Sequence, residues 1–377
     1  MKFCHLSDLH IGKRLMGYSL IEDQRYILDE ILEIINENNA DGLIIAGDIY
    51  DKSIPPVEGV LLFDEFLSKV SQMGLPVFII SGNHDSVERL SFGSKLMSKA
   101  DVFVSSVFSG KPDKYTLKDK YGNINIFLLP FVKPYYVRSF YPDETVDSYD
   151  AAIKTVLKNT DINENERNVL VCHQFVTGAK TCESEEIMAG SLENVDCSAF
   201  DKFDYAALGH IHGPQKICRE EVRYCGTPLK YSFSEASHKK SVTFIDFAEK
   251  GNVKIETVPL KPLHDLREIK ERYDFITSKE NYAGTNTDDY IHITLTDEED
   301  IPNVLEKLRS IYPNIMKLDY DNTRTRTAAL SQAPERVDLK TPAELFEDFY
   351  KEQNGSDMNE EQQKFVRKIV DKIWSDN

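Results

Sequence analysis

The chain alternates between short unbroken apolar runs and longer segments with helical periodicity. Runs at 3–6, 43–46, 77–80, 124–129, 169–171 and 205–208 are bounded by Gly, Asp, Asn or His, and read as buried strands. Between them, 22–38 carries Ile27, Leu28, Ile31, Leu32 and Ile35 on one face, the spacing of an amphipathic helix. The segment opened by Pro55-Pro56 sets Val57, Val60, Leu61, Phe63, Phe66, Leu67 and Val70 on a wide apolar surface, with proline at a helix start. A third helix is expected over 87–97 and a weak one over 146–158, while 101–145 reads as shorter strands and turns. Residues 177–191 are polar and contain glycine, and read as a loop over whatever site the strands build. Strands at 222–225, 241–247 and 253–258 follow.

Near residue 260 the pattern changes. Strands at 266–269, 290–295 and 315–318 surround a helix at 301–311 and form a small separate α/β module. Thr341 is a plausible N-cap ahead of Pro342. After the break Asn354-Gly355-Ser356, a last helix over 360–374 aligns Phe365, Val366, Ile369, Val370 and Ile373, with Trp374 beside them. An apolar stripe on a tethered helix calls for a partner surface. The expected division is 1–259, 260–330 and 331–377, in an α/β chain. The helices at 56–70 and 87–97 carry more apolar surface than one sheet face requires. A self-association face is expected there, with Phe63 and Leu67 in it.

Composition adds limits. The 377 residues are 41% hydrophobic and 29% charged, as in ordinary soluble globular proteins. No apolar run approaches the roughly 18 residues of a membrane span. The first candidate ligand arrives at Asp8, too early for a cleaved signal, so a cytoplasmic protein is expected. The net charge of −18 argues against a chain that holds nucleic acid by its own field. If DNA is the substrate, metal ions and a partner must offset the repulsion. Six cysteines, with no CxxC pair, are expected to be reduced thiols.

The chemistry sits where the strands end. Asp8 and His10 follow the first strand, Asp48 and Asp51 the second, Asn83 and His84 the third, His173 the strand at 169–171, and His210 and His212 the strand at 205–208. In open α/β sheets, ligands gather at that edge. Oxygen and imidazole donors without a thiolate suit Mn²⁺, Fe²⁺ or Zn²⁺. Seven candidates (Asp8, His10, Asp48, Asn83, His173, His210 and His212) exceed what one tetrahedral ion takes and fit two ions that share a carboxylate. Such a pair clamps a phosphoryl group, and a hydroxide generated between the ions attacks phosphorus in line. His84 is then placed to protonate the leaving oxygen. A lone histidine is more often a core or surface residue, and His5, His238, His264 and His292 keep that ordinary reading. Asp51 could be a turn former, or could orient the His84 ring.

The ordered set DxH, GDxxD, GNHD, single His and GHxH resembles the calcineurin-like metallophosphoesterases. More narrowly, four stretches resemble the SbcD-type nuclease subunits of complexes that process bacterial DNA ends. They are His5–Lys13, Ile45–Asp51, Gly82–Ser86 and Cys225–Glu235. The last is the most telling, because small phosphatases of the superfamily have no need of it. The resemblance implies a two-sheet β-sandwich flanked by helices, a capping domain at 260–330 and partner-binding C-terminal helices. It implies one metal on Asp8, His10, Asp48 and His212, a second on Asp48, Asn83, His173 and His210, and His84 as the acid. It further implies two Mn²⁺, a DNA substrate, an SbcC-type coiled-coil ATPase partner, and a homodimer within a heterotetramer. The rival on the same fold is a stand-alone phosphatase or cyclic-nucleotide phosphodiesterase, which leaves the residues after 260 unexplained. A scaffold that has lost catalysis is a further rival, against which the full ligand set argues.

Overall fold

The computed structural model describes residues 1–185, 194–326, 346–347, 349–351 and 357–366. Two six-stranded sheets face each other. The first runs, in spatial order, Val253–Pro259, Ser241–Phe247, Lys2–Leu6, Gly42–Ala46, Val77–Ile80 and Val102–Ser105. The second runs Gln215–Lys216, Val222–Tyr224, Tyr205–Gly209, Arg167–His173, Gly122–Leu129 and Asp113–Asp119. Lys2–Leu6, Gly42–Ala46, Val77–Ile80 and Val102–Ser105 are mutually parallel, as are Tyr205–Gly209, Arg167–His173 and Gly122–Leu129. Parallel pairing delivers successive strand ends to one edge.

The period of two sorts each strand between layers. Phe3, Ile44, Ala46, Phe78 and Ile80 point into the space between the sheets, where they meet Ile126, Leu128, Val169, Val171 and Tyr205. Cys4, Leu6, Leu43, Ile45 and Ile79 point outward, against helices Ile21–Glu37 and Val57–Gln72. The other outer layer is Leu129, Leu170, Cys172 and Leu208 under helices Pro134–Phe140 and Tyr149–Lys158. Both faces of both sheets are therefore covered, which explains why the strands read as unbroken apolar runs. Each fully buried Phe, Ile or Leu contributes about 1.5–3 kcal/mol of transfer free energy. This is the two-sheet sandwich flanked by helices that the sequence resemblance implied.

Several local expectations change. The helix expected over 87–97 is two short pieces, Val87–Ser91 and Ser94–Met97. Gly93 between them has φ +76°, a conformation no helix interior accepts. The polar loop after His10 contains a hairpin, Arg14–Leu15 with Tyr18–Ser19, turned by Met16 and Gly17 at positive φ. Helix Pro134–Phe140 was hidden because it buries only Val137 and so carries no apolar stripe. Phe63 is core, at 4% exposure, and Leu67 packs against that core. The apolar residues these helices leave to solvent are instead Val57, Val60, Leu61 (61%), Phe92 (87%) and Leu96. The sequence shows a helix with an apolar surface wider than one stripe, but does not show which stripe faces in.

Cys197 and Cys218 are joined as a disulfide, their Cα atoms 6.5 Å apart, which corrects the expectation of six reduced thiols. The pair is made by tertiary packing across 21 residues, so no local spacing announces it. Cys4, Cys172 and Cys225 are free and buried, and Cys182 is free and partly exposed.

The chain separates into two compact units, one of Met1–Leu295 with Ile301–Asp319 and one of Thr296–Asp300 with Tyr320–Asn377. In the first, strands Leu266–Glu271, Tyr290–Leu295 and Ile315–Tyr320 make a small third sheet. It is tied to the first helix through Asp23, whose carboxylate accepts from the Tyr290 hydroxyl (2.7 Å) and faces His264 Nδ1 (2.8 Å). In the second, the Arg324 guanidinium grips the Asp300 carboxylate at 2.7 and 2.8 Å. Residues 360–366 are helical. The expected N-cap at Thr341 and the last helix beyond residue 366 lie outside the described residues. Among the described residues no helix is long and apolar enough to cross a membrane.

Candidate metal centre at the strand ends

The loops after Lys2–Leu6 and Gly42–Ala46 are zipped together by backbone bonds: Asp8 N–H to Gly47 O (3.0 Å), His10 N–H to Asp48 O (3.0 Å) and Ile11 N–H to Ile49 O (2.9 Å). This pairing forces unusual dihedrals. Asp8 (φ +52°), His10 (+44°) and Asp48 (+50°) are left-handed, and His210 has φ +102°. For residues other than glycine each such conformation costs on the order of 1 kcal/mol or more. Here it turns side chains from several strand ends into one space. Gly47, at φ +88°, leaves room for the imidazole of His173; a Cβ there would lie 2.5 Å from its Nδ1.

All seven expected metal-ligating residues come together, with His84 beside them. His173 Nδ1–H donates to the Ala46 carbonyl (2.8 Å), so the other nitrogen, Nε2, faces inward, 3.3 Å from Asp48 Oδ2 and 3.0 Å from Asn83 Oδ1. His210 Nδ1 also lies 3.0 Å from Asn83 Oδ1, and the His210 backbone N–H donates to Asp8 (3.0 Å). His10 Nε2 and His212 Nε2 face each other at 3.2 Å, with Asp48 Oδ2 3.8 Å from His10 Nε2. Ligand atoms of Asp8, His10 and His212 form one close group, those of Asp8, Asp48 and His173 another, and those of His10, Asp48 and His84 a third. Asp48 thus belongs to two groups.

His84 is partly exposed, at the lip of this cluster. Its backbone N–H donates to Asp48 Oδ1 (2.9 Å), and its ring Nδ1 lies 3.0 Å from the backbone carbonyl of Asp51. That leaves Nε2 directed inward, 3.9 Å from Asp48 Oδ2. The Asp51 carboxylate goes elsewhere, to Lys13 Nζ at 2.8 Å. Any orienting of the His84 ring by Asp51 therefore comes from its carbonyl.

The electrostatics are those of a cation site. Asp8 and Asp48 are almost wholly buried. Burial, with help from the Asp48 charge, pushes the Asp8 carboxyl up to about 6. Burial pushes His173 down, but the adjacent Asp48 charge outweighs it and carries the imidazole up to about 9. His210 is held down to about 3 by burial and by the charge on His173. Two buried carboxylates with imidazoles packed against them make a place where a cation would be favoured. The buried Nδ1 of His10 has no hydrogen-bond partner among the described residues. Converging carboxylate, amide-oxygen and imidazole donors fit a divalent first-row ion.

Supporting residues escaped the sequence reading. The Asp85 carboxylate accepts backbone N–H bonds from Ile49 (3.1 Å), Tyr50 (3.0 Å) and Gly82 (2.9 Å), locking the Asp48 loop to the Asn83 loop. Its position after Asn83-His84 was a local signal that could have found it. Glu235 is fully buried and pairs with Lys240, and lies 3.6 Å from His212 Nδ1; only tertiary structure reveals that. The loop expected over the site contributes Ser184 and Glu185, on His212 Nδ1 (2.7 Å) and His212 N–H (2.8 Å). Its residues 186–193 lie outside the described residues. Cys182 stands near Glu235 as well, but burial pushes its thiol up to about 11, which makes it a poor thiolate ligand.

The calcineurin-like phosphoesterase family profile matches residues 1–214. A second profile, the type 5 capsule protein repressor C-terminal domain (SbcD_C), matches residues 262–354. The chain is 32% identical to the SbcD component of the nuclease SbcCD of Staphylococcus epidermidis, over 98% of both chains. It belongs to the SbcD family of calcineurin-like phosphoesterases. Among solved structures, a dimetal phosphatase from Danio rerio aligns with a TM-score of 0.40 and 10% identity, over 70% of this chain and 98% of its own. The phosphoesterase Yfce from E. coli aligns with a TM-score of 0.30 and 15% identity, over 69% and 100%. SbcD membership and this donor set make the cluster a candidate divalent-metal site.

Proposed function

We propose that this SbcD-family chain is a Mn²⁺-dependent dimetal DNA nuclease, the phosphodiester-hydrolysing subunit of an SbcCD-type end-processing complex. The observation that carries the reading is the convergence of Asp8, His10, Asp48, Asn83, His173, His210 and His212 from the strand ends of two sheets. In this reading Asp8, His10, Asp48 and His212 hold one ion, and Asp48, Asn83, His173 and His210 the other. Bound there, two divalent ions would neutralise the scissile phosphate and lower the pKa of water. His84 acts on the leaving group: as the imidazolium, with Nδ1–H donating to the Asp51 carbonyl, it would give its Nε2 proton to the oxygen that departs from phosphorus and be left neutral. The shallow, partly exposed position of His84 leaves room for a polymer to approach.

The rest of the assembly is proposed on the same footing. The boundaries are 1–259 for the nuclease domain, 260–330 for a capping domain and 331–377 for a linker and helices that dock on an SbcC-type coiled-coil ATPase. The cytoplasm is its compartment. The decisive assay sets plasmid or hairpin DNA beside a small aryl phosphodiester, each with Mn²⁺. DNA cleavage that needs Mn²⁺ is the expected result. Turnover of the aryl ester with the DNA left intact would return the chain to the stand-alone phosphodiesterase reading.

A homodimer is proposed on the faces of Val57–Gln72 and Val87–Met97 that solvent now covers. Isolated exposed apolar residues are common, but Phe92, Leu96, Val57 and Leu61 together leave large side chains without cover. Leu61→Glu combined with Phe92→Glu should convert a dimer to a monomer at micromolar concentration in light scattering, with metal content unchanged. A parental chain already monomeric under those conditions would end this proposal.

A further inference from the structure

The stretch from Cys225 to Glu235 singles this chain out, yet none of it supplies a ligand in the reading above. Its place in the fold gives it a task. Every polar point of His212 except the inward-facing Nε2 is held by the surrounding chain. The backbone N–H donates to Glu185 (2.8 Å). The carbonyl accepts from Thr227 N–H (3.1 Å) and from Lys240 Nζ (2.9 Å). Nδ1 lies 2.7 Å from Ser184 Oγ, and Ser184 Oγ in turn donates to Glu235 Oε1 at 2.5 Å. Glu235 itself is pinned by Lys240 on its other oxygen and by the Tyr231 N–H (3.2 Å). Glu235 and Lys240 are both buried, an arrangement expensive to build unless geometry is its purpose.

We infer that Glu235, acting through the Ser184 hydroxyl, is the positioning residue that fixes the tautomer and tilt of His212. The relay has one consistent direction. Glu235 takes Lys240 Nζ on Oε2 and the Tyr231 N–H on Oε1, so it stands as the acceptor and Ser184 donates to it. The Ser184 oxygen then accepts from His212 Nδ1–H. With its proton on Nδ1, His212 presents a lone pair at Nε2, the atom that faces His10 Nε2 across the cluster. A carboxylate behind a ligating imidazole both orients it and raises its basicity, and losing such a partner typically costs about 10–100-fold in metal affinity. The 225–240 segment is thus a brace for one ligand, which explains why a sequence motif without a ligand accompanies the ligand motifs.

The inference rests on the two-ion reading, and its test uses metal binding alone. Ser184→Ala removes only the relay hydroxyl from a loop residue; Ser184→Thr keeps it. Titration with Mn²⁺, followed by calorimetry and electron paramagnetic resonance, counts the ions and distinguishes a coupled pair from single ions. Ser184→Ala should bind one ion with parental affinity and the other roughly 10–100-fold more weakly, the coupled signal giving way to a single-ion signal. Ser184→Thr should restore the pair. Glu235→Gln with Lys240→Met, which removes the buried charges together, should reproduce the loss. Two ions held with parental affinity in Ser184→Ala would overturn the inference and leave the two-ion reading intact. A parental chain that binds no Mn²⁺ would overturn both.

Discussion

Asp48→Asn is expected to weaken both metal ions at once and to remove Mn²⁺-dependent cleavage. Asp48 Oδ2 is 3.3 Å from His173 Nε2 and 3.8 Å from His10 Nε2, so it lies within reach of donors from both groups. Burial opposes its charge, yet the surrounding imidazoles, His173 above all, hold its carboxyl well below the usual range. The site is built to keep this group ionised. Asparagine tolerates the left-handed backbone at φ +50° and can still accept the His84 N–H, so the variant removes charge and little else. Outer-shell partners already cost about 10–100-fold in affinity, and a direct bridging ligand should cost more. Elemental analysis after dialysis reads the result. Two ions still bound per chain would end the bridging assignment.

His84→Ala should do the opposite to the metals and nearly the same to the reaction. Its ring is partly exposed and its N–H bond to Asp48 survives truncation, so both ions should remain. Cleavage of DNA should slow by roughly 10²–10⁴, the range for losing a general acid. The discriminating measurement is leaving-group dependence. An alkoxide leaving from DNA needs a proton, whereas an activated aryl oxide departs without one. The aryl ester should therefore be spared most of the loss. An equal loss on both substrates would mean that His84 positions phosphate and does not donate a proton.

The strand ends were legible in the sequence because parallel, doubly covered strands make unbroken apolar runs, and each ligand follows such a run directly. Asp8, Asp48, Asn83, His173 and His210 could be placed at one edge on that ground alone. What stayed hidden depends on contacts between distant segments. Glu235 and Lys240 look like any charged surface pair until the fold buries them against His212. Phe63 and Leu61 are two residues apart on one helix, and only the packed sheet decides that the first is core and the second is solvent-facing. Helix Pro134–Phe140 buries too little to leave a period. Gly93 gave a local warning of the break in 87–97, but isolated glycines in helices are common enough to be passed over.

The left-handed backbones at Asp8, His10 and Asp48 bear on how this chain can be engineered. Glycine would relax each of them, and at His10 it would also remove a buried imidazole nitrogen that lacks a partner among the described residues. A library sorted by heat resistance alone would be drawn towards glycine at the positions where the chemistry needs a donor. Selection for robustness and selection for turnover therefore pull these three codons in opposite directions.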